Sequence, residues 1–440
     1  MFRKKRQLQE YVDKCARLEK EINENKDKLN EMCQQQENLL KENERLLKDN
    51  ERVYSGHRSM EEEINFLKFR ISTLDELHES IVQQKWPHDG SMKKYKCMYP
   101  YERVEILPRG EVYTCCSGYV KHNYYIGNIY EDNFDNIWNS EKALKLRFSV
   151  SNGNFEYCQK VCKWLHKENI ENKVETATTN PIVERSEEDV VDNWRECQLT
   201  KYPKYITLTC DDSCNLSCPT CRSKNRVMTK QEGEKLLESL NTVVKPMLRD
   251  CELLGGLASG DLFASWAVSN FYKSLHVAEF PNLKLYILTN LQLLTEDNWK
   301  KNYSNLHEFE IRLGVSIDAA NKETYEINRR GGTWETLCEN LEFVKRWRMQ
   351  KPDNIKFLCL HFVIQKNNYL QIEEFIKFGE KYGADTVEFQ QLGNWGTFSQ
   401  EEYAERNVLD EKHELHEEVI RILEEVLSKE WGVTIVQNIV

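Results

Sequence analysis

The chain has 440 residues, with 61 basic and 72 acidic side chains and a formal net charge of −11. This length predicts two or three domains, and the acidic balance argues against nucleic acid or an anionic membrane as the partner. No apolar run is long enough to span a membrane, and the charged amino-terminal segment is not typical of a signal peptide, so we expect a cytoplasmic location.

Residues 1–85 predict a long coiled-coil arm. They contain no proline, and one heptad position from Tyr11 to Ile81 is apolar at ten of eleven places. A period of 3.5 residues kept over this length is typical of a coiled coil. Asn43 and Asn50 at the companion position favour two strands, so we expect a homodimer. The alternative is a long helix folded back on the rest of the chain.

Three further regions follow the arm. Residues 86–90 break the helical pattern with proline and glycine. The pattern then predicts a small, turn-rich, cysteine-bearing module at 93–167 and a charged linker at 168–201. From residue 202 to residue 440 strands and helices alternate, which predicts a separate α/β domain.

Six strands are predicted in this α/β domain. They lie at 205–209, 251–254, 283–288, 311–317, 355–363 and 386–390. Strands that alternate with helices pair in parallel, so the sheet is expected to be open or curled into a barrel. In such sheets ligands bind at the carboxyl ends of the strands, which directs attention to the loops that follow them.

The chain contains 15 cysteines, many of them in two groups at 97–162 and 210–221. In a reducing compartment such cysteines are more often metal ligands or catalytic groups than disulfide partners. The second group follows the first predicted strand and carries Cys214, Cys218 and Cys221 in the spacing C-x3-C-x2-C. Three thiolates of one loop can hold a cubane iron–sulfur cluster and leave its fourth iron open. A thioredoxin-like redox pair, or a zinc site with a fourth ligand from elsewhere, also fits this spacing alone.

The C-x3-C-x2-C spacing is the signature of the radical S-adenosylmethionine superfamily, and residues 202–400 resemble that superfamily throughout. Four further motifs are similar and follow later strands in order: LGGLASGD at 254–261, LTN at 288–290, VSIDA at 315–319 and TYEINRRGG at 324–332. Leu291 stands where the family's third-strand motif has glycine. The resemblance implies a partial (β/α)6 TIM-like barrel, a catalytic 4Fe–4S cluster, and S-adenosylmethionine on its open iron. Reductive cleavage would give a 5'-deoxyadenosyl radical that takes hydrogen from a substrate.

The same resemblance implies roles for single residues. Cys214, Cys218 and Cys221 are the implied catalytic cluster ligands. The implied cofactor-binding residues are Gly255, Gly256, Ser259, Asp261, Asn290, Ser316 and Arg329. Asp261 is expected to accept a hydrogen bond from the ammonium group of the cofactor. Arg329, with Arg330 as the alternative, is expected to pair with the methionine carboxylate.

The first cysteine group begins with C-x12-G-x4-C at 97–115 and ends with C-x3-C at 158–162. This arrangement resembles the auxiliary-cluster module called SPASM, or twitch in its shortened form, although here it precedes the catalytic domain. The implied ligands of one auxiliary 4Fe–4S cluster are Cys97, Cys115, Cys158 and Cys162. Cys116 is the alternative to Cys115, and a zinc-ribbon-like site is the alternative to the cluster.

Together these resemblances predict a radical S-adenosylmethionine enzyme of the SPASM/twitch type. Its expected reaction is the oxidation, epimerisation or crosslinking of a peptide or carbohydrate substrate, with a reductant protein such as flavodoxin or ferredoxin. The alternative is an iron–sulfur scaffold whose coiled coil is the functional part and whose cluster is structural.

Two small sets of residues stay ambiguous in the sequence. The substrate-contact candidates beyond the last predicted strand are Gln390, Gln391, Asn394 and Trp395, with a plain capping loop as the alternative. The cysteines predicted to be small buried hydrophobes are Cys251, Cys338 and Cys359.

Overall fold

The computed structural model describes residues 91–159, 162–165, 181–256 and 259–438. All of these belong to one compact unit, residues 84–440. The predicted coiled coil at 1–85, and the homodimer that depends on it, lie outside the described residues. Within the described ranges, no helix is long and apolar enough to cross a membrane.

The amino-terminal part of the described chain is built from short elements. Its strands are β1 (Tyr95–Cys97), β2 (Arg103–Ile106), β3 (Glu111–Tyr113), β4 (Gly127–Asn128) and β5 (Ile182–Glu184). Its helices are α1 (Tyr99–Glu102), α2 (Phe134–Trp138) and α3 (Glu141–Ser151). β1 pairs with β5 in a separate two-stranded antiparallel sheet, whereas β2, β3 and β4 are antiparallel neighbours. Gly110 turns the chain between β2 and β3 at φ 81, a left-handed conformation that favours glycine.

The carboxy-terminal part alternates strands and helices, as predicted. Its strands are β6 (Tyr205–Leu208), β7 (Leu253–Gly255), β8 (Lys284–Thr289), β9 (Ile311–Ser316), β10 (Ile355–Ile364), β11 (Thr386–Gln391) and β12 (Thr434–Asn438). Its helices are α4 (Lys230–Ser239), α5 (Trp266–Lys273), α6 (Glu296–Asn302), α7 (Lys322–Asn328), α8 (Trp334–Gln350), α9 (Ile372–Tyr382), α10 (Gln400–Arg406) and α11 (His416–Leu427). All six predicted strands are present, and β12 adds a parallel strand that the sequence pattern did not predict.

Short helical turns complete the described structure. The 3₁₀ helices are Ser91–Lys94, Lys163–Leu165, Glu187–Asp189, Trp194–Cys197, Lys245–Arg249, Ser304–Glu308 and Tyr369–Gln371, and a π-helical turn at Leu240–Val244 extends α4. α4 begins at a capping box, in which Thr229 N donates to Glu232 Oε2 (2.9 Å) and Glu232 N donates to Thr229 Oγ1 (3.4 Å). This reciprocal pairing satisfies amide donors that an uncapped helix leaves unbonded.

The parallel strands β6 to β12 neighbour one another in chain order. Crossovers between parallel strands are almost always right-handed, so a sheet with this order carries its crossover helices on one face. The side chains of β10 are mostly buried, as expected for a central parallel strand covered on both faces. The carboxyl ends of all these strands therefore lie at one edge of the sheet.

The sheet does not end at β6. β2 pairs with β6 in parallel, from Arg103 opposite Tyr205 to Ile106 opposite Leu208. One sheet of ten strands therefore runs from β12 through β6 and β2 to β4. The module predicted at 93–167 and the domain predicted from 202 share this sheet and one apolar core.

A buried arginine ties the amino-terminal elements together. Arg147 of α3 is 0% exposed, and its guanidinium lies 4.2 Å from the ring centroid of Trp138. Its Nε donates to the carbonyl of Pro100 (2.9 Å), and its Nη2 donates to the carbonyl of Trp138 (2.8 Å). Nη1 lies 3.5 Å from the carbonyl of Cys197. One side chain thus connects α1, α2 and the segment that leads into β6.

Candidate active site

The loop that follows β6 carries three cysteines at the carboxyl edge of the sheet. Cys214 and Cys218 are buried, whereas Cys221 is exposed. The amide of Leu216 donates to Cys214 Sγ (3.4 Å), and the amide of Cys221 donates to the carbonyl of Cys218 (2.9 Å). The amide of Cys214 donates to the carbonyl of Arg226 (2.9 Å), which fixes the start of the loop. These hydrogen bonds therefore fix the backbone of the three cysteines and so the positions of their thiols.

Each of these thiols has a nitrogen donor nearby, two of them from other elements and one, Arg222, from the loop itself. Asn290 Nδ2 lies 3.7 Å from Cys214 Sγ, and Arg329 Nη1 lies 3.9 Å from Cys218 Sγ. Arg222 Nε and Nη2 lie 3.4 and 3.3 Å from Cys221 Sγ. N–H donors and positive charges favour the thiolate form, which is the form that binds metal.

Burial acts against ionisation of the same thiols. It raises the pKa of Cys214 to about 11, and it raises the pKa of Cys218 although the Arg329 charge opposes that rise. A bound metal deprotonates such thiols because its positive charge replaces the lost solvation. The three thiols with their donors therefore suit a metal cluster better than a free redox pair.

The glycine-rich loop after β7 packs closely on the cysteine loop. Asp261 N donates to the carbonyl of Ser213 (2.9 Å), and a Cβ at Gly260 would lie 2.6 Å from that carbonyl oxygen. Arg222 donates to the carbonyl of Ser259. The hydroxyl of Ser259 is buried and has no hydrogen-bond partner among the residues that the structure describes. Only glycine at position 260 lets the two loops approach in this way.

The other predicted cofactor residues of this loop, Gly255 and Gly256, lie at the end of β7. Gly255 is the last residue of the strand, and Gly256 N donates to the carbonyl of Tyr286 (2.7 Å). The ladder to β8 therefore continues one residue past β7. Both glycines bring bare backbone to the carboxyl edge beside the cysteine loop.

Asp261 braces the loops after β7 and β8. Its carboxylate is buried and accepts hydrogen bonds from Thr289 Oγ1 (2.8 Å), Asn290 N (2.8 Å) and Phe263 N (3.0 Å). Burial raises its pKa, and these donors oppose the rise. The observed bonds give Asp261 a positioning role, and its contact with a cofactor ammonium group stays a prediction.

Leu291 adopts φ 64, in the left-handed region, and its side chain is fully buried. This is the position at which the resembling family has glycine. A left-handed conformation costs an L-residue about 1–2 kcal/mol, which glycine does not lose. Leu291 retains this strained backbone while its side chain packs in the core of the sheet.

We expect Leu291→Gly to be more stable than Leu291→Ala by about 1 kcal/mol, because both remove the same buried side chain and only glycine relieves the strain. In an ordinary helix or strand alanine is the more stable of the two. Apparent unfolding temperatures of the two variants, measured side by side, test this. A more stable alanine variant would contradict the strain argument.

Arg329 and Arg330 lie in different surroundings. Arg329 Nη2 forms an ion pair with Asp318 Oδ2 (2.6 Å), and its Nε is buried without a hydrogen-bond partner in the described part of the chain. Arg330 is exposed, and it donates from Nε to Ser217 Oγ (3.1 Å) and from Nη2 to the carbonyl of Ser223 (2.9 Å). Arg330 thus braces the outer side of the cysteine loop, and Arg329 holds a spare donor beside Cys218.

The remaining candidates divide between the sheet and the loop beyond it. Ser316 ends β9 and lies opposite His361 in register. Gln390 Nε2 donates to Glu388 Oε1 (2.9 Å) within the sheet. Asn394 accepts from the amide of Gly396 (3.0 Å) and so shapes a turn, whereas the side chain of Trp395 is exposed. Substrate contact by this group stays a prediction.

Sequence reasoning missed His361 and Glu388. Cys359, predicted to be a small buried hydrophobe, is buried, but its Sγ lies 4.0 Å from Glu388 Oε2. His361 Nδ1 lies 3.5 Å from the same oxygen. The sequence did contain a sign of this site. Polar residues lie two positions apart, and so on one face of a strand, in Cys359-x-His361 and in Glu388-x-Gln390.

The first cysteine group forms a second candidate site. Its four predicted ligands line one pocket, together with apolar and aromatic side chains. They are Cys97, Cys115, Cys158 and Cys162. Cys116, the alternative ligand, is absent from this lining. The geometry brings the predicted set together and favours Cys115 over its neighbour.

Three of these thiols affect one another's ionisation. Burial raises the pKa of Cys97, Cys115 and Cys158, and the charge of a neighbouring thiolate raises each further. Several thiolates cannot share an apolar pocket unless a cation compensates them. The donor set therefore fits a metal cluster, and thiolate sulfur is the usual ligand of iron–sulfur clusters.

Residues 97–163 match the SPASM family, described as an iron–sulfur cluster-binding domain. The module is therefore a SPASM-type iron–sulfur domain, which confirms the prediction made from its cysteine spacing. No curated protein matches the chain.

Several solved structures are similar in part. Streptococcus suis SuiB bound to S-adenosylmethionine has 14% identity and a TM-score of 0.37, over 54% of this chain and 51% of that one. Native anSMEcpe with bound AdoMet and Cp18Cys peptide has 18% identity and a TM-score of 0.30, over 42% and 49%. A radical SAM methyltransferase from Sphaerobacter thermophilus has 12% identity and a TM-score of 0.31, over 53% and 64%. The chain spans about half the length of SuiB, and likeness at this level assigns no activity.

Proposed function

We propose that the protein is a radical S-adenosylmethionine enzyme of the SPASM/twitch type, with a partial barrel formed by its parallel strands. The observation that carries this proposal is the three-cysteine loop after β6, in which every thiol has its own nitrogen donor. When bound, the reduced cluster would supply the electron that cleaves S-adenosylmethionine and so starts hydrogen abstraction from the substrate.

The proposed ligands of the catalytic cluster are Cys214, Cys218 and Cys221. The C-x3-C-x2-C motif of this loop offers three thiolates, so one iron is left for a small molecule. Asn290, which follows β8, and Arg222, which follows Cys221 in the loop itself, would stabilise the negative charge on the sulfurs.

Two buried polar groups beside this loop support a bound S-adenosylmethionine. Arg329 Nε and Ser259 Oγ have no hydrogen-bond partner in the described structure, and such groups are costly to bury unless a ligand satisfies them. We assign the methionine carboxylate to Arg329 rather than Arg330. The other proposed cofactor residues are Gly255, Gly256, Asp261, Asn290 and Ser316, with Asp261 acting by position. A purely structural cluster requires neither spare donor, so the scaffold alternative has no comparable support.

The proposed auxiliary cluster would occupy the pocket of the SPASM module. Its four ligands would be Cys97, Cys115, Cys158 and Cys162, which leaves that cluster no open iron and suits it to electron transfer. We further propose a peptide or carbohydrate substrate, a flavodoxin or ferredoxin as reductant, and a homodimer formed through residues 1–85. A cytoplasmic location follows from the need for reduced thiols.

The proposal is tested with protein reconstituted under anaerobic conditions. We expect about eight irons per chain, four for each cluster, and release of 5'-deoxyadenosine when dithionite and S-adenosylmethionine are added. Replacing Cys214, Cys218 and Cys221 by alanine should halve the iron and abolish release. Cys338→Ala, a cysteine of helix α8, is the control and should change neither.

Two results would contradict the proposal. If protein with both clusters intact and reduced releases no 5'-deoxyadenosine, the proposed enzymatic function is wrong. Full iron content in the triple variant would show that the ligand assignment is wrong.

A further inference from the structure

Three potential metal ligands converge inside the sheet, away from both cysteine groups. Single donor atoms of Cys359, His361 and Glu388 all lie within 4.8 Å of one another. Cys359 and His361 occupy alternate positions of β10, so they share a face, and Glu388 of β11 lies opposite His361 in register. Cys359 is 4% exposed and His361 is 6% exposed. A thiol, an imidazole and a carboxylate are thus enclosed together.

Contacts on the far side of His361 and of Glu388 orient these two ligands. His361 Nε2 lies 3.4 Å from the hydroxyl of Tyr286, which leaves Nδ1 near the thiol and the carboxylate. Glu388 Oε1 accepts from Gln390 Nε2 (2.9 Å) and from Asn438 Nδ2 (3.4 Å), which leaves Oε2 on the inner side. Gln390 Nε2 also lies 3.3 Å from His361 Nδ1, so it would turn toward Glu388 alone when a metal binds. Outer contacts of this kind orient the ligands in metalloproteins.

A close approach of the backbone makes room for this arrangement. A Cβ at Gly314 of β9 would lie 2.8 Å from His361 Nε2 and 2.8 Å from the Tyr286 hydroxyl. Any larger residue would displace the imidazole or the phenol. Gly314 of β9 therefore leaves the space in which His361 and Tyr286 contact one another.

The separations suit a small tetrahedral cation. Zinc, with Zn–S near 2.3 Å and Zn–N or Zn–O near 2.0–2.2 Å, sets its ligand atoms about 3.3–3.6 Å apart. The observed separations are 3.5 Å from His361 Nδ1 to Glu388 Oε2 and 4.0 Å from Cys359 Sγ to the same oxygen. Sulfur and nitrogen ligands disfavour magnesium and calcium, which take oxygen. One thiolate and one carboxylate would also balance the charge of a divalent ion.

We propose that Cys359, His361 and Glu388 bind one divalent cation of the zinc class. Three protein ligands leave a fourth position open, as in catalytic rather than structural zinc sites. His361 lies opposite Ser316, and its carbonyl accepts from the amide of Ile317 (3.1 Å), so the site lies beside the carboxyl end of β9. The competing interpretation is a hydrogen-bond network without metal.

Zinc content tests this inference without any use of S-adenosylmethionine cleavage. Protein with both clusters assembled is incubated anaerobically with zinc alone and desalted, and zinc and iron are then measured by mass spectrometry. We expect about one zinc per chain, and a loss of zinc affinity of at least about ten-fold in Cys359→Ser, His361→Gln and Glu388→Gln with iron unchanged. Glu388→Gln keeps the shape of the side chain, so it serves where the other variants fold poorly.

Cys251→Ser is the matched control. Cys251 is another buried cysteine, but its Sγ donates to the carbonyls of Lys204 (3.4 Å) and Leu253 (3.3 Å), and the variant should keep its zinc. X-ray absorption at the zinc edge should show one sulfur ligand with nitrogen and oxygen. Four sulfur ligands would place the zinc at the cluster cysteines, and wild-type zinc no higher than that of the variants would favour the plain network; either result overturns the inference.

Discussion

Replacing Arg329 by lysine is expected to weaken binding of S-adenosylmethionine by roughly 10- to 150-fold, the equivalent of one hydrogen bond to a charged group. Lysine keeps a positive charge opposite Asp318 but has no Nε and no planar fork. Arg329 Nε is a buried donor without a partner among the described residues, so the methionine carboxylate proposed to accept from it would lose that bond. This prediction depends on the proposed function.

Arg330→Lys is the control for this prediction. Arg330 is the adjacent residue, but it is exposed and bonds to the cysteine loop. We expect its effect on cofactor affinity to stay within about five-fold, since exposed polar contacts contribute about 1 kcal/mol or less. Equilibrium dialysis of S-adenosylmethionine against both variants, with iron measured in each, gives the comparison. If Arg330→Lys loses more affinity at equal iron content, the assignment of the two arginines is reversed.

Replacing Arg147 by methionine is expected to lower the free energy of unfolding by about 2–4 kcal/mol. The buried guanidinium donates to the carbonyls of Pro100 and Trp138, and methionine would leave both without this donor. Burial lowers the pKa of Arg147 to about 10, because the charged guanidinium loses its solvation. Methionine carries no charge, so the variant avoids this cost and recovers part of the lost free energy of unfolding. The unbonded carbonyls outweigh that recovery because their partners are not replaced along with the arginine.

Arg195→Met provides the comparison for Arg147→Met. The guanidinium of Arg195 also lies 4.2 Å from a tryptophan ring, that of Trp194, but its side chain is exposed. Its loss should cost about 1 kcal/mol or less. Anaerobic thermal unfolding should show a drop of about 3–5 °C for Arg147→Met and a much smaller one for Arg195→Met. Equal drops would mean that the buried hydrogen bonds contribute little.

Local patterns in the sequence were sufficient to predict the six strands of the α/β domain and to locate the cysteine loops. Each predicted strand had its own apolar run and turn signals, and the six runs appear as β6 to β11. β2 was missed because its four residues have no local feature that selects β6 as a partner. Pairing between residues 103 and 205 depends on how the whole sheet assembles.

The details of the candidate site depended on backbone geometry. Arg329 and Arg330 are equivalent in a motif, and only the end of α7 decides which guanidinium lies beside Cys218. His361 and Glu388 gained meaning once the register placed them opposite one another. A polar residue in a buried strand has no recognisable partner until the neighbouring strand is aligned.

The parallel pairing of β2 with β6 decides where this chain can be divided. Cutting at the predicted boundary between 201 and 202 would remove β2, the neighbour of β6. The amides and carbonyls along that side of β6 would then be unpaired. Strands of other chains can pair with such an exposed edge and cause aggregation. Natural proteins cover or shorten their edge strands for that reason. The SPASM module therefore also covers the edge of the parallel sheet at β6, and the module and the sheet are best expressed and studied as one piece.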